Sequence, residues 1–385
     1  MPHVAQVSFF LDPRRRRPRE LLRDWSSLAE VAEAASRSVR RVSVVQASAY
    51  ADEFEQNGVD YHFVRPEGGG RRVSRTAAFA RLLAQLRPDV LHVHGLGFAA
   101  DVAALARLAP ATPILLQDHA DRLPPFWRRG AWRRGTAHAS GIAACATEQI
   151  TPFAAAGLLP PQMRVFEIPE STSRFTPADQ DEARAATGLH GDPALLWVGR
   201  LDRNKDPLTV LEAVRCAVAS LPGLALWCCF AAAPLRREVE RRVAADPQLR
   251  ARVHLLGTVA HERIELLMRA ADLYVSASHR EGSGYALLEA LACALPPVVS
   301  DIPSFRALTG RGRIGDLWPP GDAAALARAL VAAAARARPA ARARVRAHFE
   351  AELATGAVGR KLGSAYRQLL DSRRSGHGAG AGAGA

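Results

Sequence analysis

Two short segments concentrate the residues whose types and spacing can do chemistry. The first, Glu281 to Asp301, opens with a carboxylate and two glycines, Gly282 and Gly284, ahead of a helical pattern from Tyr285 to Leu295. Glycines before a helix let backbone N–H groups approach a ligand closely, and the helix N-terminus favours negative charge. Glu289 lies five residues past Gly284, a little over one turn into that helix. The layout suits a phosphate at the helix tip and hydroxyl groups held by Glu281 and Glu289. The second segment, Gly199-Arg200-Leu201 followed by Lys205, ends an apolar run at Leu195–Val198. Its two cations, five residues apart, can face one cleft and balance a diphosphate, Arg200 as a fork and Lys205 as a point charge. All but two of the 51 basic residues are arginine, so a lysine at this turn argues against an ordinary solvated loop.

Other candidates are less specific. His119 follows the apolar run Ile114–Gln117, where it could contact a reacting group or simply be a polar loop residue. His92 and His94 alternate on one strand face, but a metal would need a third ligand. Two basic segments stand out, Arg14 to Arg17 after the first apolar run and Arg128-Arg129 with Arg133-Arg134 among Phe126, Trp127 and Trp132. Either could face an anionic acceptor or acidic lipid, and a solvated basic loop accounts for the first equally well.

The elements needed to position these residues follow a regular plan. Strands are expected at Val4–Leu11, Val42–Gln46, Val90–His94, Ile114–Gln117 and Val165–Ile168, with helices at Glu20–Ser36, Ser74–Leu86 and Phe98–Leu108 between them. The polar connection containing Gly68-Gly69-Gly70 separates the second strand from the next helix. Pro169 to Pro177 is polar and proline-flanked, as in a domain linker. The pattern then restarts, with strands at Leu195–Val198, Leu224–Phe230, Val253–Leu256, Leu273–Ser276 and Pro297–Ser300. Helices alternating with short apolar strands predict two doubly wound α/β domains, with ligands at the strand C-terminal ends. The expected division is 1–168, a linker at 169–178, a second domain at 179–352, a helix at 353–372 and a disordered Gly/Ala tail at 373–385.

Composition narrows the rest. At 385 residues and 48% hydrophobic, the chain can build two cores, and its apolar runs fall short of a membrane span. Five cysteines without CxxC spacing argue against a disulfide framework or zinc site and fit a reducing cytoplasm, with buried, unreactive thiols. A net charge of +13 invites a nucleic-acid reading, but no recognised nucleic-acid motif or aromatic stripe accompanies it. An anionic small substrate, or peripheral contact with the inner face of an anionic membrane, fits the charge better.

The segments VGRLDRNKD (Val198 to Asp206) and EGSGYALLEALACALPPVVSD (Glu281 to Asp301) resemble the two C-domain signatures of retaining glycosyltransferases of the GT-B fold, family 4. AADLYVSAS, PDVLHVHG and VFEIPESTSRFTP also fall in that family's order. The resemblance implies two tandem Rossmann-like domains facing across a cleft, and leaves room for the C-terminal helices to return to the N-terminal domain. It implies a nucleotide diphosphate-sugar donor, UDP- or GDP-linked, with no cofactor and no metal, and a sugar, lipid-linked or small-molecule acceptor. By the same resemblance Arg200 and Lys205 stabilise the departing diphosphate, and Glu289 holds the nucleotide ribose. Glu281 contacts the sugar, backbone from Gly282 through Ser283, Gly284 and Tyr285 holds sugar and phosphate, Gly199 lets the donor approach, and His119 matches an N-domain histidine near the reacting centre. Three positions depart from the pattern. Asp12-Pro13 and the arginine run replace a glycine-rich loop, Ser283 stands at a common aromatic, and Ala294 replaces the glycine before Leu295-Pro296. A non-catalytic scaffold that binds a nucleotide or partner, or a sugar-nucleotide epimerase on the same fold, is the alternative. A dinucleotide oxidoreductase fares badly, because no GxGxxG follows a strand.

Overall fold

The structure is a computed structural model and describes residues 1–66, 72–336 and 338–380. The Gly68-Gly69-Gly70 connection and residues 381–385 of the tail lie outside them. The chain divides into two compact units. The first is Met1–Thr172 together with the chain from Thr355 onward, and the second is Ser173–Ala354.

The first unit holds eight strands: β1 (His3–Ser8), β2 (Arg41–Ala47), β3 (Asp52–Gln56), β4 (Val59–Val64), β5 (Val90–His94), β6 (Ile114–Gln117), β7 (Gly141–Ala144) and β8 (Arg164–Glu167). They form one sheet in the order β3-β4-β2-β1-β5-β6-β7-β8, parallel except for the β3–β4 pair. Side chains alternate between faces, so neighbouring residues feed different cores. Val4, Val42, Val44, Val90 and Leu115 pack under the helices Ser26–Ser36 and Thr355–Gly380. Ala5, Val7, Val45, Leu91 and Leu116 pack on the other side with Phe79, Val102, Leu105 and Trp132. Both faces are covered, as a parallel sheet requires.

The second unit holds β9 (Ala194–Gly199), β10 (Ala225–Phe230), β11 (Val253–Gly257), β12 (Leu273–Ser276), β13 (Pro297–Ser300) and β14 (Asp316–Trp318). These six are parallel, in the order β11-β10-β9-β12-β13-β14. Strand order reverses between β1 and β5 in one sheet and between β9 and β12 in the other. Ligand sites of doubly wound sheets form beyond the strand ends at such a switch point.

Several expected elements differ in the structure. The Glu20–Ser36 helix is two, Pro18–Asp24 and Ser26–Ser36, interrupted at Trp25, whose backbone is not helical (φ −130°, ψ 68°). The first strand ends at Ser8, and Phe10 and Leu11 beyond it are exposed. The polar stretch from Pro169 is no exposed linker at its start. Glu170, Ser171, Thr172 and Ser173 are all buried, and Ser171 donates to Glu30 at 2.9 Å. The helix expected at 353–372 begins at Thr355, after Ala354, which is extended (ψ 158°). The glycine-rich segment expected to be disordered remains helical to Gly380, since extending an existing helix costs far less than starting one.

The final helix seats on Ser26–Ser36 through glycines. A Cβ at Gly359 would lie 2.2 Å from the Ala34 carbonyl oxygen, and one at Gly363 would lie 2.7 Å from Ser38 Cβ. Gly359→Ala should therefore destabilise this unit by roughly 1–3 kcal/mol, despite alanine's better helix propensity. Gly356→Ala meets only the flexible end of Arg360, at 3.6 Å, and should be neutral or stabilising. Thermal melts of the two variants against the parent test the contrast.

Candidate donor site and histidine cluster

The β9 loop is built by its own backbone and one buried leucine. Leu201 is fully buried, donating its N–H to Ala232 and accepting from Leu235. Asp202 accepts from the Lys205 N–H at 2.9 Å and from the Arg200 guanidinium at 3.0 Å. Asp206 adopts a left-handed conformation (φ 44°) and caps the helix Pro207–Ala217 through Thr209. Gly199 leaves little room for a side chain, with the Trp197 ring 3.2 Å from where a Cβ would stand.

The loop after β12 is zipped onto this one. The His279 N–H donates to Asn204 O at 2.8 Å, and the Asn204 amide returns a bond to Arg280 O at 2.9 Å. The His279 ring meets Asp206 at 3.0 Å. These bonds bring Lys205 Nζ to 2.5 Å from Glu281 Oε1, with both side chains mostly buried. Beyond them, Gly284 precedes the helix Tyr285–Ala292 with φ 77°. Only glycine fits, because a Cβ would also stand 2.5 Å from the Phe305 ring. Ser283 is fully buried and Tyr285 half-exposed. Ala294 does take the left-handed conformation (φ 59°) expected to favour glycine, which costs about 1 kcal/mol.

The candidate residues are thus partly assembled. Gly199, Arg200, Lys205, Glu281, Gly282, Ser283, Gly284 and Tyr285 lie on the two loops at the β9/β12 switch point. Arg200 is the most open of the charged ones, 61% exposed and turned to Asp202. Glu289 is paired with His261 at 2.6 Å, and that ring rests on Phe175, 4.8 Å between centroids. Neither His261 nor His279 was singled out by the sequence. Each meets its carboxylate from more than 25 residues away, with no local spacing to betray it.

His119 belongs to the first unit, and its surroundings are unexpected. Its Nδ1 pairs with the buried Glu170 carboxylate, and its Nε2 lies 3.1 Å from His94 Nδ1. His94 stacks on His92, 4.5 Å between centroids, and His92 meets the Tyr366 hydroxyl at 2.9 Å. Burial pulls the His119 imidazole down. The Glu170 charge and hydrogen bond, helped by Asp121 and Asp118, outweigh this and hold its pKa above the ordinary histidine value. Burial lowers His92 to about 3 and His94 well below its usual value, and raises Asp118 to about 6. When protonated, His119 donates to Glu170 and to neutral His94. Among the described residues no group of His, Cys, Asp or Glu could hold a metal ion.

The Arg14–Arg17 run is partly internal. Arg16 pairs with buried Asp12 at 2.9 Å and with Asp24 at 3.5 Å, holding the Asp12 carboxyl down to about 2, and Arg17 lies over the Tyr50 ring. Of the cysteines, Cys145, Cys228, Cys229 and Cys293 are buried, while Cys216 is exposed, contrary to the expectation of uniformly buried thiols.

Comparison with known proteins places the chain. The sequence model for glycosyl transferases group 1 matches residues 179–346, and that for the glycosyl transferase 4-like domain matches residues 25–169. The chain belongs to the group 1 glycosyltransferases. The chain is 26% identical over 246 residues to a GDP-mannose:cellobiosyl-diphosphopolyprenol alpha-mannosyltransferase of Xanthomonas campestris, covering 62% of each chain. It is 34% identical to a phosphatidyl-myo-inositol mannosyltransferase of Mycobacterium leprae over 40% of this chain and 41% of that one. A D-inositol 3-phosphate glycosyltransferase of Geodermatophilus obscurus is 30% identical over 67% of this chain and 63% of its own. The matches span less than two thirds of each relative. Among solved structures, sucrose-phosphate synthase from Thermosynechococcus elongatus superposes with TM-score 0.72 at 20% identity, covering 97% of this chain and all of that one. Anabaena Alr3699/HepE, solved with UDP and glucose, gives 0.72 at 17% identity, covering 96% of this chain and all of that one. The fold is that of the GT-B glycosyltransferases.

Glu170→Gln removes the charge that raises the His119 pKa, so burial should then carry it below the usual value of about 6.5. A folded pKa raised above the unfolded one adds stability below the unfolded value, and that stability is lost as pH rises through the folded value. The stability deficit of Glu170→Gln should accordingly be widest below about pH 6.5 and shrink at higher pH. Histidine NMR titration and denaturation at several pH values check both halves.

Proposed function

We propose that this glycosyltransferase moves a sugar from a UDP- or GDP-sugar to a hydroxyl acceptor, with retention of anomeric configuration. The contact of Lys205 with Glu281 at the β9/β12 switch point carries the reading. It sets a mostly buried cation beside a carboxylate and next to the N-terminus of Tyr285–Ala292. Those are the parts needed to take up the charge of a departing diphosphate while gripping a sugar hydroxyl.

In this scheme the bond between the anomeric carbon and the diphosphate oxygen breaks as Lys205 and Arg200 neutralise the leaving group. The acceptor oxygen bonds to the same face of the anomeric carbon, and its proton passes to the leaving phosphate oxygen. Glu281 orients the sugar and fixes Lys205. Glu289, steadied by His261, accepts from the ribose hydroxyls. His119, held by Glu170, is a donor for the sugar or the acceptor. No step calls on a metal or cofactor. The relatives named above support an acceptor that carries phosphate, on a lipid or an inositol, and the net charge of +13 agrees.

Lys205→Ala should lower kcat by about 10²–10³, as loss of one preorganised charge donor does. Near-normal turnover would overturn the assignment. Thermal-shift screening with UDP, GDP and ADP should single out the donor base, since a ligand at 100 times its Kd adds about 2.7 kcal/mol of stability. Tight binding without turnover on any acceptor would point instead to a nucleotide-binding scaffold.

A further inference from the structure

The helix Phe126–Thr136 carries a surface that no step of the proposed transfer calls on. Its inward face is tightly seated. Trp132 stacks on Phe153 at 5.7 Å, and a Cβ at Gly135 would lie 1.7 Å from the Ala99 carbonyl oxygen. With Trp132, Gly135 and Thr136 turned inward, the rows Phe126–Gly130–Arg133 and Trp127–Ala131–Arg134 are turned outward. Phe126 and Trp127 are 77% and 70% exposed, with their rings 5.0 Å apart. Large aromatics so placed are costly in water and mark contact surfaces.

The chemistry around them is one-sided. From Arg122 to Thr147 the chain has five arginines and no aspartate or glutamate. Beside the helix runs a groove of about 910 Å³, walled by alanines such as Ala80, Ala103 and Ala104 and rimmed by Arg81, Arg107 and Arg134. Apolar walls under a cationic rim match acyl chains below phosphate headgroups, and paired Trp and Phe suit the interfacial depth. No described helix is long and apolar enough to cross a membrane, so such contact is peripheral. We infer that the outward face of Phe126–Thr136, with the adjoining groove, docks the first unit on an anionic lipid bilayer. This holds whichever sugar and acceptor the enzyme uses.

The test is co-sedimentation of the full chain with phosphatidylglycerol/phosphatidylcholine vesicles and with phosphatidylcholine vesicles alone, at low and physiological salt. Binding should require phosphatidylglycerol and weaken with salt. Arg133→Glu/Arg134→Glu should weaken it at least tenfold, given roughly fivefold for each charge lost at an anionic surface. Phe126→Ser/Trp127→Ser should weaken it comparably, and should abolish quenching of the parent's tryptophan emission by brominated lipid. Circular dichroism and the nucleotide thermal shift check that both variants stay folded. Binding equal on the two vesicle types, or untouched by both variants, overturns the proposal. So does a dimer in solution that the aromatic variant makes monomeric while vesicles fail to bind.

Discussion

The contact between Lys205 and Glu281 does more than join two charges. Each residue sits on a loop leaving a neighbouring strand of one parallel sheet, and the loops are tied again through Asn204 and His279. A lysine on a four-carbon stem is otherwise a mobile point charge. Here a mostly buried carboxylate fixes its position, which is the preorganisation the proposed transfer asks of it. Gly284, Phe305 and Ala294 then hold the following helix in one place, and the strain at Ala294 is part of that arrangement.

The first unit uses its sheet differently. On the face under the final helix, strands begin apolar and turn polar two residues on. Val4 gives way to Gln6, Val44 to Gln46, Val90 to His92 and Leu115 to Gln117, all buried. The cluster from Glu170 through His119 and His94 to His92 and Tyr366 lies along this polar margin. Burial pulls the inner histidines down, while Glu170 draws the outer one up.

Much of this was legible in the residues. Period-two apolar runs separated by helical patterns specify parallel strands, and Gly284 and Gly199 announce close approaches that the structure contains. Partners were not legible where they came from afar. Glu170 meets His119 across about fifty residues and looked like part of a polar linker, and His261 reaches Glu289 from another helix. The β3–β4 hairpin had its signal, Asn57-Gly58, both with positive φ, but the acidic look of residues 52–56 hid a strand at the sheet edge. Glycine content misled past residue 372, where the helix runs on to Gly380, while within the expected helix Gly359 and Gly363 serve contact.

That last helix has a consequence for the order of events during synthesis. Val358, Leu362, Tyr366 and Leu369 belong to the same core as Val4 and Val42, while residues 173–354 make a unit of their own between them. A ribosome therefore finishes every residue of the second unit before the first has the pieces to close its core. Until then the outer face of Ser26–Ser36 and the buried histidines remain uncovered on the nascent chain.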